Sequence, residues 1–329
     1  MVGLGLIGGS LLRRLAAHRL PGNRAAGYAV VGYDTDPATR AAASAAGHAV
    51  TPTLADAVAD ADLVVVATPL HTLPDILPMV ASDARPDAVL TDVASVKVAA
   101  RDAVRAAKMP QRYVGGHPMA GTERSGFGAS DPALFDGAAW VLCLDGDTDL
   151  TGWLALARLV TQMGCRVVPA DPVAHDAAVA RISGLPHVFA AVLAATAAAD
   201  EAGGAGGLAP ALAAGSFRDG TRVAGTRPDL AAALCDGNRD AVADALDEAL
   251  DRLTAARDTL RSGGSVLPLC SEGFSARHRW QSGGAHGSRF ELDAADPDLL
   301  ERLHGLGRDG GHVLSVSART LRCWRPAER

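Results

Sequence analysis

The chain has 329 residues, 48% of them hydrophobic and 21% charged, with a formal net charge of −6. That is room for two domains or one with an appendage, and the acidic balance without any Lys/Arg block excludes nucleic acid and anionic membranes as expected partners. Aromatic residues make up only 4%, so the core must rest on Ala, Val and Leu. Five scattered cysteines, Cys143, Cys165, Cys235, Cys270 and Cys323, form no CxxC pair, which fits a reducing compartment and no metal site. No run of about 18 uninterrupted apolar residues predicts a membrane span. The start lacks a basic segment followed by an apolar one, and the cytoplasm is the expected location.

In chain order, the first signal is Gly3-Leu4-Gly5-Leu6-Ile7-Gly8. In a GxGxxG turn the first glycine permits the tight bend and the second lets a pyrophosphate approach the backbone. The third lets the following helix pack close to the strand. The pattern alone is weak, but a helix is predicted over 10–18 and a strand over 29–32, ending at Asp34. Asp34 lies 26 positions beyond Gly8, against about 20 in the usual fingerprint; a loop over 20–26 absorbs the difference. A carboxylate there accepts hydrogen bonds from ribose hydroxyls and repels a 2′-phosphate, favouring NAD over NADP. The plainer alternative is that Asp34 begins the turn 34–37 and caps the next helix. Only Met1 and Val2 precede Gly3, too few for the central strand of such a fold. A start upstream of Met1 is therefore expected, with weak cofactor binding by the chain as numbered.

Further strands are predicted over 63–67, 89–92, 113–116, 140–144 and 165–169, with helices over 37–46, 73–81 and 96–108 between them. This alternation implies a doubly wound α/β Rossmann-type parallel sheet. Ligands gather at strand ends in such sheets, which directs attention to Thr68-Pro69 and to Asp92-Val93-Ala94-Ser95-Val96-Lys97. Ser95 is placed for the reacting end of the cofactor, or simply caps a helix, with Lys97 a solvated first-turn residue. The segment Gly115-Gly116-His117-Pro118-Met119-Ala120-Gly121-Thr122-Glu123 holds a histidine in a loop between glycines and a proline. Imidazole titrates near neutral pH, so His117 is a candidate general base.

Beyond residue 172 strand signals stop, and helices are predicted over 175–199, 208–214, 228–236 and 240–261. This Ala/Leu-rich half is a natural dimerisation unit, because such helices cannot bury their apolar faces alone. It carries Arg181 to His187 and Ser216 to Arg222, where an arginine fork suits a substrate carboxylate. The last stretch turns Gly/Ser-rich at 262–264 and 282–287 and ends in a strand, helix and strand over 289–292, 297–306 and 312–316. The expected boundaries are 1–171 for the nucleotide domain, 172–261 for the all-α domain and 262–329 for an appended segment.

Taken together, residues 3–10, 92–97, 116–126, 175–176, 183–187 and 217–224 resemble the prephenate dehydrogenase (TyrA) family of tyrosine biosynthesis, in order from residue 1 to about 260. Trp140 and the stretch 222–226 look most like the actinobacterial branch, some members of which are arogenate dehydrogenases. The resemblance implies an NAD-dependent oxidative decarboxylation. In it His117 accepts the proton of the ring 4-hydroxyl and Ser95 orients His117 and that hydroxyl. Arg222 binds a substrate carboxylate, Glu123 and Asp219 form an ionic network gating the site, and His187 lines the pocket. Gly3, Gly5, Leu6, Ile7, Gly8 and Asp34 hold the cofactor, with Thr68 and Pro69 beside the nicotinamide. Where the family usually has Ser-His-Leu-Pro-His, this chain has Ser183-Gly184-Leu185-Pro186-His187, which bears on substrate preference, prephenate or arogenate. A β-hydroxyacid dehydrogenase of similar architecture would need a helical-domain lysine, and residues 172–260 contain none. A non-catalytic dinucleotide-binding protein would need no His117, Ser95 and Arg222.

Overall fold

The structure, a computed structural model, describes residues 1–17, 27–109, 112–122, 124–199, 207–282 and 286–327. The loop expected over 20–26 and Glu123 lie outside the described residues. The chain divides into two compact units, Met1–His175 with Arg277–Arg329, and Asp176–Ala276.

The first unit is built on short strands rich in β-branched residues. β1 (Val31–Gly32) and β2 (Ala49–Val50) pair in parallel, as do β3 (Leu63–Val66), β4 (Val89–Asp92) and β5 (Tyr113–Val114). What joins the two groups is Val2, which bridges in parallel to Tyr33 on one side and to Val66 on the other. Its N–H donates to the Val65 carbonyl at 2.9 Å, and its carbonyl accepts from Ala67 at 2.6 Å. Val2 thus occupies the central position of the sheet. The resulting order is β2, β1, Val2, β3, β4, β5, the doubly wound arrangement whose order reverses between Val2 and β3. Val64 and Val66 are buried, as a continuous apolar run must be when helices cover both faces.

After β5 the chain passes at Gly115 into a second sheet, in the order β6 (Gly116–Pro118), β7 (Ala139–Cys143), β8 (Arg166–Ala170), β10 (His312–Val316), β11 (Thr320–Pro326), β9 (Gly287–Asp293). The C-terminal strands therefore extend the sheet of the first unit, through the pairing of Val313 with Val167. The helix Leu299–Arg308 packs so closely on β8 that a Cβ at Gly307 would stand 1.8 Å from the Pro169 carbonyl oxygen. The strand β11 and the helix Leu267–Ser282 left no clear sequence signal; that helix buries no residue, so it shows no apolar periodicity.

The second unit is helical, with Leu185–Ala198, Gly215–Thr221, Pro228–Gly237 and Arg239–Arg261 its main elements. Its core is small: Ala180, Val242 and Ala245. The run Pro172–Ala198 is continuous and, by length and composition only, long and apolar enough to cross a membrane, although no uninterrupted apolar stretch marks it in the sequence. It contains a π-helical segment, Ala180–Gly184, a feature that often re-aims side chains at functional sites. A Cβ at Gly184 would lie 2.8 Å from Val242 Cγ2. Val242 thus occupies the space into which a larger residue at this position would have to project.

Candidate active site

Each glycine of the turn has its own physical requirement. Gly3 adopts φ +91°, and a Cβ there would sit 2.7 Å from the Ala67 carbonyl oxygen. A Cβ at Gly8 would stand 2.0 Å from the Gly3 oxygen, so only glycine lets the helix Leu6–Ala17 start here. At Gly5 a Cβ would meet nothing within 4 Å: the backbone faces open space at a helix N-terminus, where N–H groups and the helix dipole favour an anion. Leu6 and Ile7 form the first helical residues beside it. Asp34 Oδ2 accepts from the Leu4 N–H at 2.8 Å and Oδ1 from the Asp36 N–H at 3.0 Å. Asp36, not Asp34, caps the helix Pro37–Ala45 through Ala38 and Thr39. Thr68 and Pro69 follow β3 across the switch point; Thr72 Oγ1 donates to the Pro69 carbonyl at 2.7 Å and lies 2.9 Å from Thr68 Oγ1. This cradle fits a dinucleotide.

At the ends of β4 and β5 lies a buried ionic cluster. Lys97, 1% exposed, donates to Asp92 Oδ1 and, at 2.6 Å, to the Gly116 carbonyl. Tyr113 donates its hydroxyl to Asp92 Oδ2 at 2.6 Å, and the Ala94 N–H donates to Oδ1 at 2.7 Å. Burial, then the Asp92 charge and hydrogen bond, push the Tyr113 phenol well above its ordinary range, so it remains a donor. Gly116 must be glycine, since a Cβ would lie 2.5 Å from the Asp92 carbonyl oxygen.

His117 is not in a loop but on the short strand β6, paired with Val141, and is buried. Its Nδ1 lies 2.9 Å from His175 Nε2. Burial first, then electrostatic interaction with His175 and with the Lys97 charge, hold its pKa well below the ordinary imidazole value. The imidazole is therefore neutral at pH 7 and able to accept a proton. Ser95 is exposed; the helix Lys97–Ala106 takes Val96 as its N-cap, without a side-chain cap bond. The side chain bonded to His117 is His175, not Ser95. Because the folded value is depressed, the unfolded state binds the extra proton below about pH 6.5. His117 thus supports folding above that pH, and the contribution falls away as pH drops toward the folded value. The acid limb of kcat/KM should lie well below pH 6.5; a limb at or above the free-imidazole value would mean that another group is titrating.

The remaining candidates belong to the second unit. Among the described residues His187 Nδ1 is buried with no hydrogen-bond partner, which leaves it able to bond a ligand atom. Arg222 opens the short helix Arg222–Gly225, is exposed, and has no ion-pair partner among the described residues. Asp219 stands 3.8 Å from Arg218, both largely exposed.

Sequence reasoning missed the Asp92, Lys97 and Tyr113 cluster and the role of His175. One signal for Lys97 was present: it is one of only two lysines, with Lys108, in a chain whose other cations are arginines. His175 lies in the segment 175–176 that carries the family resemblance, but its pairing with His117 is not legible there, because the two meet across 58 residues.

A parallel sheet in doubly wound order with a glycine cradle at its switch point, in a chain that also has a helical unit, defines a Rossmann-type nucleotide-binding fold. Residues 22–169 match the family model for the prephenate dehydrogenase nucleotide-binding domain, and residues 171–265 that for the prephenate dehydrogenase dimerization domain. A prephenate dehydrogenase of Bacillus subtilis is 33% identical over 258 residues, which are 75% of this chain and 66% of that protein. The chain thus spans just under two thirds of that relative. A Corynebacterium glutamicum structure assigned as a prephenate dehydrogenase superposes with a TM-score of 0.81 at 38% identity, covering 93% of this chain and 96% of the other. The Aquifex aeolicus prephenate dehydrogenase, in complex with hydroxyphenyl propionate and NAD+, superposes with a TM-score of 0.75 at 26% identity, covering 84% and 96%. The chain belongs to the prephenate dehydrogenase family.

Proposed function

We propose that this chain is an NAD-dependent prephenate dehydrogenase, converting prephenate to 4-hydroxyphenylpyruvate and carbon dioxide in the cytoplasm. The observation that carries this reading is a buried His117 on β6, bonded to His175 and beside the strand ends that border the glycine cradle. When bound in that cradle, NAD would supply the hydride acceptor. Gly3, Gly5, Leu6, Ile7 and Gly8 would hold its pyrophosphate and Asp34 its ribose. Thr68 and Pro69 would border the nicotinamide.

His117 Nε2 accepts the proton of the ring 4-hydroxyl as C4 gives up hydride. The bond from C1 to the ring carboxylate then breaks, its electron pair completes the aromatic ring as carbon dioxide leaves, and the ring oxygen takes its proton back from His117. Ser95, exposed after β4, would orient the hydroxyl; Arg222 would bind a substrate carboxylate; His187 would line the pocket; Glu123 and Asp219 would gate it. Arogenate carries the same reacting ring and differs in the side chain, so the test crosses both substrates with both cofactors. Turnover of prephenate with NAD is the expected result, and its absence in all four combinations would overturn the reading.

Two substitutions refine it. Asp34→Ser removes the carboxylate that repels a 2′-phosphate and should narrow the ratio of NAD to NADP affinity; a wild-type preference for NADP would contradict the role of Asp34. Arg40 lies close by, but it already donates to the Asp34 and Thr35 carbonyls at 2.5 and 3.2 Å. Arg222→Ala should raise KM for prephenate by about 10- to 100-fold, the size expected for a charge-assisted hydrogen bond of about 1.5–3 kcal/mol. An unchanged KM would move the carboxylate site elsewhere.

A homodimer through the helical unit is supported by the match of residues 171–265 to the dimerization-domain model and by exposed apolar side chains. Ile182, Phe189, Val192, Leu250 and Leu253 are all exposed, more apolar area than a soluble monomer usually leaves uncovered.

A further inference from the structure

We propose that His175 is the positioning residue for His117: its Nε2 accepts the Nδ1–H of His117 and thereby fixes the tautomer that leaves Nε2 of His117 as a bare acceptor. The two rings meet at 73° with centroids 5.1 Å apart, and the bonded nitrogens are 2.9 Å apart. Both residues are buried, so neither nitrogen can exchange this bond for water without cost.

Two neutral nitrogens can share one hydrogen bond in only two ways. If His175 donates, His117 carries its proton on Nε2 and has no lone pair to offer a substrate hydroxyl. If His117 donates, Nε2 is free to accept. The choice between them rests on the reading of His117 as the base.

The framework that holds the pair is rigid. His117 lies on β6, β6 pairs with β7, and β7 with β8. At the end of β8, Asp171 Oδ1 accepts from the N–H groups of Val173 at 2.8 Å and Ala174 at 3.1 Å. That cap starts the helix Pro172–Val179, and the His175 N–H donates to the Asp171 carbonyl at 2.8 Å. His175 thus sits on the first turn of a capped helix, anchored to the same sheet as its partner.

The ionisable groups of this unit beside the pair are Lys97 from the helix Lys97–Ala106, with Asp92 from β4 paired to it and the protonated Tyr113 phenol from β5 bonded to Asp92; Asp176 follows His175 in the chain. An imidazole acceptor differs from a carboxylate in carrying no negative charge. It can align the base while raising its proton affinity less than a carboxylate would, which helps His117 to give the proton back.

The test uses the full chain. Histidine 15N NMR on the wild type, with the His117 signals identified by their loss in His117→Asn, should show His117 protonated at Nδ1 and bare at Nε2. In His175→Leu, kcat should fall about 10- to 100-fold, the size expected for leaving a buried donor without its acceptor. KM for prephenate and the affinity for NAD should hold, the acid limb of kcat should move, and the His117 tautomers should mix. His175→Gln, whose carboxamide oxygen can accept the same hydrogen bond, should recover most of kcat.

A proton on Nε2 of His117 in the wild type, or a His175→Leu enzyme with unchanged kcat and pH profile, would overturn the proposal. A wild type that turns over neither prephenate nor arogenate would instead sink the functional reading, and the tautomer measurement would still decide the pairing.

Discussion

Replacing His117 with asparagine should lower kcat by about 10²–10⁴-fold, the range set by loss of a general base, while NAD affinity stays at the wild-type value. The separation of the two effects is the point. His117 lies on β6, whereas the groups expected to hold the dinucleotide lie in the glycine turn, at Asp34 and after β3. Asparagine keeps a hydrogen-bonding group of similar reach toward His175 but has no basic nitrogen. Steady-state kinetics with a parallel binding titration would check this; near-normal turnover would place the base elsewhere.

The second large effect concerns stability. Lys97→Met should destabilise the fold by about 3–5 kcal/mol, because it leaves Asp92 as a buried charge without its cation. It also frees the Gly116 carbonyl, which now accepts from Lys97 at 2.6 Å. The double replacement Lys97→Met with Asp92→Asn removes both charges and should recover part of the loss, since neutral pairs often replace buried ion pairs at little cost. Urea unfolding of the two variants beside the wild type is the measurement. A single variant as stable as the wild type would show that Lys97 and Asp92 do not depend on one another. Removing the Lys97 charge should also let the His117 pKa rise, because that charge is one of the causes of its depression.

Much of this architecture was legible because it is local. The apolar runs of β3 and β4 and the three glycines of the turn each impose a pattern on neighbouring residues. The C-terminal strand, helix and strand were legible as elements. Their attachment to β8 was not, because the pairing of Val313 with Val167 joins residues far apart in sequence. The central strand looked absent from the sequence, since Met1 and Val2 are too few for a strand by any periodicity. In space Val2 bridges both Tyr33 and Val66.

The site divides in the same way. His117 stood out through its glycines and proline, although those neighbours suggested a loop and the structure has a strand. Lys97 was open to reading as a solvated first-turn residue. Only its bonds to Asp92 and Gly116, with Tyr113 donating to the same Asp92 carboxylate, show a buried cation. Lysine suits that place because a compact ammonium can direct its hydrogens at a carboxylate and a carbonyl in a small space. In Gly184 the sequence showed a missing side chain, but not that Val242 stands in the space it would need.

The most direct test of an NAD-linked oxidative decarboxylation at this site is product stoichiometry with the purified wild-type chain, prephenate and NAD. The expected result is equimolar NADH, carbon dioxide and 4-hydroxyphenylpyruvate. NADH formed without carbon dioxide, or no NADH with any pairing of prephenate or arogenate with NAD or NADP, would contradict it.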